Sequence, residues 1–212
     1  MGELIDLASR MSRRPTAPPR RAPSFYFDVS CPRSYLAAEQ VERLIGDVEW
    51  VAVDSTAPSG PVVDEPTLRA RCEMRAQALR LPLVWPERFP ERTPCALRAA
   101  AYACEIGAGV RFALAAGRLA FCGGFDLDNP ETLAEAAAAA GIPLDACLEA
   151  SGESWRDEQL VEAAATLRAE GLGELPAVYL EGRWFSGDVA LASTAAPHPP
   201  GRRFRSPLAP VG

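Results

Sequence analysis

In the stretch FDVSCPRSYLAAEQ, residues 27–40, a cysteine meets a proline where an aromatic run gives way to a helical pattern. With the helix starting at Pro32, Cys31 is its N-cap and Pro32 its first residue. A sulfur there faces the free backbone N–H groups of Arg33 and Ser34 and the positive end of the helix dipole. The Arg33 guanidinium adds to the effect, and all of these favour thiolate over thiol. The plainer alternative is a capping cysteine without chemistry, although serine would cap better. Ser34 stands where a C-x-x-C pair carries its second thiol. A hydroxyl cannot attack a mixed disulfide and release the partner, but it can donate a hydrogen bond to the Cys31 thiolate. The pair therefore reads as a nucleophile, Cys31, with a hydrogen-bonding partner, Ser34. It could form mixed disulfides, activate a bound thiol or bind a thiol cofactor.

A second element with site character is GLGELPAVYLEGRWFSGD, residues 171–188. Pro176 directly precedes a strand pattern, where a missing N–H is tolerated. A cis Leu175–Pro176 bond would turn the backbone sharply and present main-chain groups to a ligand. From spacing alone an ordinary trans proline opening a strand is the better reading, because cis bonds are a small minority of X–Pro bonds.

The elements that must hold these residues follow from periodicity. Residues 24–29 read as a strand, 33–45 as a helix ending at Gly46, and 48–53 as a second strand with Val48, Trp50 and Ala52 on one face. This is a β-α-β unit with parallel strands. From 66 to 170 the pattern is helical, with candidates over 66–80, 94–107, 109–122, 130–140, 143–151 and 154–170. Asn129 as N-cap, Pro130 at the first position and Gly141 at the exit frame the clearest of them. Strands over 177–180 and 183–186 flank Glu181-Gly182, a hairpin signal, and a short helix over 189–196 stops at Pro197.

Composition narrows the function classes. The chain has 212 residues and a net charge of −6, so a nucleic-acid partner has no electrostatic support. Every one of its 22 basic residues is arginine, which excludes lysine chemistry. No apolar run approaches the ~20 residues of a membrane span. Arg13-Arg14 and Arg20-Arg21 precede no apolar segment, so residues 1–23 read as a disordered leader of a cytoplasmic protein. Residues 196–212 read as a disordered tail. Six cysteines without C-x-x-C spacing and a lone His198 argue against zinc and against a disulfide framework. Cys72, Cys95, Cys104, Cys122 and Cys147 lie among Ala and Leu and read as small buried apolar residues.

Taken together, FYFDVSCPRSYLA, LRLPLVWPERFPERT, GGFDLDNPETLAEAA and GLGELPAVYLEGRWFSGDVAL resemble the DsbA-like branch of the thioredoxin superfamily. Within it the chain is most similar to the 2-hydroxychromene-2-carboxylate isomerases and kappa-class glutathione transferases. The resemblance implies a thioredoxin-like α/β fold: β-α-β, a helical insertion, a β-hairpin and a short terminal helix. Its thioredoxin-like part would be residues 24–65 and 171–195, and the insertion subdomain residues 66–170. It also implies a glutathione site, with Cys31 at the position that meets the glutathione sulfur and Pro32 and Arg33 beside it. Leu175-Pro176 would be the cis-proline loop pairing with the glutathione cysteine, and Gly187-Asp188 the turn whose acid meets the γ-glutamyl amine. Arg92 takes the place of an amide usual in relatives, and either Arg92 or Arg33 could bind a substrate carboxylate bidentately. No metal is implied. A homodimer would supply cover where Pro197 cuts the last helix short.

Three functions follow as expectations. The first is a glutathione-dependent isomerase or transferase acting on an aromatic or unsaturated carboxylate. The second is a monothiol oxidoreductase forming mixed disulfides through Cys31. The third is a non-catalytic accessory protein that keeps the fold.

Overall fold

The computed structural model describes residues 21–55, 64–188 and 190–194. A wholly buried strand, β1 (Ser24–Phe27), leads through the Cys31 corner into α1 (Pro32–Leu44), and the chain returns as β2 (Glu49–Ala52). Six helices follow: α2 (Glu65–Leu79), α3 (Pro94–Glu105), α4 (Gly109–Phe121), α5 (Pro130–Ala140), α6 (Leu144–Gly152) and α7 (Arg156–Ala169). Strands β3 (Ala177–Leu180) and β4 (Arg183–Ser186) and the helix α8 (Ala190–Thr194) close the order. Expected boundaries differ from these by one or two residues. The ends of the last expected helix, the tail with His198 and the Arg13-Arg14 pair lie outside the described residues.

The sheet order is β2-β1-β3-β4, with β1 and β2 parallel and the other two pairings antiparallel. The β3–β4 turn uses Glu181 at φ 50° and Gly182 at φ 81°, the left-handed pair that a two-residue hairpin needs. Of the stretch read as a leader, only residues 21–23 are among the described ones. The Pro23 carbonyl accepts from Glu49 N–H at 2.8 Å, and the Arg21 guanidinium stacks over Tyr26, Tyr179 and Trp184, so this end lies against the sheet.

Alternation along β1 builds two cores. Phe25 and Phe27 point to one face, where Trp50 meets both rings at 4.7 and 5.4 Å, and the same core takes in alanines of α1, α3, α4 and α5. Tyr26 points to the other face, sharing a smaller core with Val53, Ala164, Leu167 and Leu175. Cys31 belongs to that second core, so the corner is anchored from beneath by α7 and by the segment entering β3. Asn129 caps α5 by accepting from Glu131 N–H at 2.8 Å, and Gly141 ends it at φ 71°. Of the five cysteines expected to be buried, Cys72 and Cys147 are, whereas Cys95, Cys104 and Cys122 are half-buried. Cys122 Sγ lies 3.1 Å from the Tyr35 hydroxyl at the end of α4. This architecture is a thioredoxin-like α/β fold carrying a helical insertion.

Candidate functional site

A buried carboxylate builds the corner. Asp28 follows the last residue of β1 and is 1 % exposed. Its Oδ1 accepts from the Ser30 N–H and hydroxyl, both at 2.7 Å, and its Oδ2 from Ser55 N–H at 3.0 Å. The β1–α1 corner is thereby tied to the end of β2. Burial pushes the Asp28 carboxyl above the ordinary carboxylate range even though these donors pull it down. The Asp28 carbonyl also accepts from Cys31 N–H at 3.1 Å, fixing the cysteine backbone before the helix begins.

Cys31 is the N-cap of α1 with extended backbone, φ −95° and ψ 116°, and its side chain makes no capping hydrogen bond. Here the structure corrects the sequence reading. Pro32 contributes no N–H, and the sulfur is not bonded to the N–H groups of Arg33 or Ser34. The Ser34 hydroxyl is fully buried and accepts from Asp28 N–H at 3.3 Å. It makes no hydrogen bond to Cys31 among the described residues, so its position is that of a brace for the corner. The cation is left as the main polar neighbour of the sulfur. Arg33 is largely buried, which opposes its charge, but Cys31, Glu174 and Asp188 outweigh that and raise its hold on the proton above the ordinary arginine range.

The Arg33 guanidinium is incompletely satisfied. Nη1 lies 3.2 Å from Glu174 Oε2, an ion-pair distance whose angle is not that of a hydrogen bond, and Nε lies 3.9 Å from Asp188 Oδ1. Both nitrogens are buried without a hydrogen-bonded acceptor. Such a group costs free energy that a ligand anion could recover.

Above Cys31 opens a cavity of about 290 Å³. Cys31, Pro32 and Arg33 form its floor. Val53, Leu68, Phe89, Leu167 and Leu172 give it apolar walls, and Glu174-Leu175 and Arg92 stand at its edges. Arg92 is 72 % exposed and pairs with Asp54 at 3.1 Å, so it is a rim residue while Arg33 reaches the floor. Leu175–Pro176 is a cis peptide, as is Phe89–Pro90. The Pro176 carbonyl accepts from Gly187 N–H at 3.0 Å, which draws the Gly187-Asp188 turn against the loop. Asp188 Oδ2 in turn accepts from Arg71 Nε at 2.7 Å.

Of the residues singled out in the sequence, Cys31, Pro32, Arg33, Leu175 and Arg92 meet around this cavity. Pro176, Gly187 and Asp188 meet Arg33 in a narrow notch behind it. Glu174, Arg71 and Asp28 were missed. Asp28 could have been noticed as a carboxylate ending an otherwise apolar strand, and Glu174 as the residue before Leu175-Pro176. Arg71 carried no local signal, being 117 positions from its partner. Cys72 also lines the notch, and burial, with the charges of Cys31 and Asp188, pushes its thiol up to about 12. It is therefore a poor resolving nucleophile.

Comparison with known proteins bears on the fold and the family. No curated protein sequence matches the chain. Among solved structures, a 2-hydroxychromene-2-carboxylate isomerase superposes with a TM-score of 0.64 at 18 % identity, covering 81 % of this chain and 91 % of that one. A protein from Streptomyces coelicolor described as a probable DsbA oxidoreductase superposes with a TM-score of 0.68 at 16 % identity, covering 82 % and 87 %. At such identities the likeness is one of fold. The model of the DSBA-like thioredoxin domain matches residues 24–195, which include both the Cys31 corner and the Pro176 loop, and the chain belongs to that family.

Proposed function

We propose that the protein is a thiol-dependent enzyme in which the Cys31 thiolate acts on an aromatic or unsaturated carboxylate whose double bond is conjugated to a carbonyl. The observation that carries this reading is the placement of a single, nearly buried sulfur on the floor of an apolar-walled cavity beside an under-satisfied guanidinium. A cavity of about 290 Å³ suits a small molecule better than a folded partner's thiol. In the step envisaged, the sulfur electron pair forms a C–S bond at the β-carbon and the π pair moves to the carbonyl oxygen as an enolate. The former double bond is then free to rotate, and return of the electron pair expels the thiolate. Nothing is oxidised or reduced, and Arg33 offsets the charge that leaves the sulfur.

Glutathione is proposed only as a thiol that Cys31 and the Pro176 loop could meet, and no step is routed through it. A second reading, mixed-disulfide exchange at Cys31, is supported by the absence of any other cysteine from the cavity lining. Conjugated aryl keto acids, followed by ultraviolet absorbance with and without glutathione, separate the readings. Turnover that falls to background in Cys31→Ser and is strongly reduced in Arg33→Gln supports the isomerase. Recovery of Cys31 as its glutathione mixed disulfide without turnover favours exchange. An inert Cys31 with neither outcome leaves the accessory role.

A further inference from the structure

Two cavities meet at Phe89. One is the Cys31 cavity of about 290 Å³. The other, of about 200 Å³, lies between the segment 86–91 and the end of α4, and no step of the proposed reaction enters it. Ser30, Phe89 and Glu91 line both spaces and form the partition between them. Of these three, Phe89 alone is apolar. Its ring is clamped: Trp85 packs on it at 4.9 Å and Phe121 meets it edge-on at 6.3 Å. The Arg69 guanidinium lies 5.2 Å from the ring, and its Nη2 donates to the Phe89 carbonyl at 3.2 Å. Behind the ring, Ala120, Phe121, Phe125 and Leu127 give the second cavity an apolar lining. Its charged lining is Arg88 against Glu87, Glu91 and Asp126, and Arg88 is ion-paired with the last two. That balance opposes a carboxylate and suits an uncharged group. The Cys31 cavity differs, since Arg33 and Arg92 line it.

We infer that Phe89 is a specificity-determining wall that limits the length of the ligand reacting at Cys31, and that the space behind it is a latent compartment for an uncharged apolar group. The inference deepens the function proposed above and rests on Cys31 being the reacting sulfur. The native ligand class it names is a compact unsaturated carboxylate that stays on the Cys31 side of the ring. An acceptor with a long apolar tail is excluded until the partition is cut back. Once it is, the tail passes into the second cavity while a carboxylate remains with the arginines of the first.

The test uses three maleimides whose nitrogen carries an ethyl group, a biphenyl group, or a biphenyl group ending in a carboxylate. In each, the Cys31 sulfur pair forms a C–S bond at one alkene carbon and the π pair moves to the carbonyl oxygen. Water then returns a proton to the other alkene carbon, and nothing leaves. Rates at Cys31 are resolved by peptide mass spectrometry at fixed pH and divided by those of the denatured chain. The native chain should react faster with the ethyl than with the biphenyl reagent. Phe89→Ala should raise the biphenyl-to-ethyl ratio about tenfold, the factor that about 1.4 kcal/mol of recovered apolar burial gives. Phe89→Leu, the milder cut, should raise it less and keeps the test open where the alanine variant unfolds in urea too early. The carboxylated biphenyl should gain less than the neutral one. Leu68→Ala trims a wall of the Cys31 cavity that does not border the second, and should leave the ratio near its native value. A ratio unmoved by both Phe89 variants, an equal gain in Leu68→Ala, or an equal gain for the carboxylated reagent would overturn the inference. Slow reaction of Cys31 with every reagent would overturn it together with the thiol mechanism. The expected ratios without turnover of any keto acid would sink only the isomerase reading.

Discussion

Glu174 occupies the space that a side chain on Gly187 would need: a β-carbon there would stand 2.6 Å from Glu174 Oε2. Gly187 also sits at φ 75°, where L-residues other than Asn and Asp are strained. The glycine thus allows the carboxylate to reach Arg33 across the Pro176 loop. Gly187→Ala is expected to cost about 1–2 kcal/mol from backbone strain and to push the flexible Glu174 end away from Arg33. Urea unfolding measures the first effect. Adding Glu174→Ala should relieve the collision but not the strain, so the double variant stays destabilised. A Gly187→Ala protein as stable as the wild type would contradict the assigned backbone.

How much of this was legible in the sequence depended on range. The β3–β4 hairpin was readable because Glu181-Gly182 supplies the turn locally, and α5 because Asn129, Pro130 and Gly141 mark both its ends. The Cys31 corner was visible for the same reason. What periodicity could not give was the direction of a side chain with two nearby choices. Ser34 lies one turn from Cys31, yet its hydroxyl meets the Asp28 N–H that the corner leaves unpaired. Nor could it give contacts between elements far apart in the chain. The helical pattern over 66–80 gives α2 its place in the chain, but only tertiary packing brings Arg71 to Asp188.

The buried carboxylate of Asp28 makes a prediction about pH. Its folded-state affinity for a proton is raised above the unfolded one, chiefly by burial. Its contribution to stability is therefore fully present below the unfolded carboxylate value of about 3.9 and is lost as pH rises through the higher folded value. Unfolding free energies of the wild type and Asp28→Asn, measured by urea from pH 4 to pH 8, should differ by an amount that moves against the wild type as pH increases. Other carboxylates titrate in both proteins and cancel. A difference that moves in favour of the wild type with rising pH would mean that Asp28 is held ionised in the fold, its donors outweighing burial.

The start of α3 inverts ordinary capping logic. Thr93 occupies the N-cap position at φ −124° and ψ 66°, but its side chain makes no capping bond and its buried Oγ1 has no hydrogen-bonding partner. The cap comes instead from the α4–α5 connection, where Asp128 Oδ1 accepts from Ala96 N–H at 3.0 Å. Burial raises the proton affinity of Asp128, while the N–H groups of Ala96 and Cys95 oppose that effect. Removing the distant residue should then matter more than removing the local one. Asp128→Ala is expected to destabilise by about 1–2 kcal/mol, the usual loss of a cap. Thr93→Val, which replaces an unpaired hydroxyl by a methyl of similar shape, should be neutral or slightly stabilising. Thermal or urea unfolding of the two variants compares them directly. A larger loss in Thr93→Val than in Asp128→Ala would return the cap to Thr93 and break the link by which the helical insertion fixes the segment carrying Arg92.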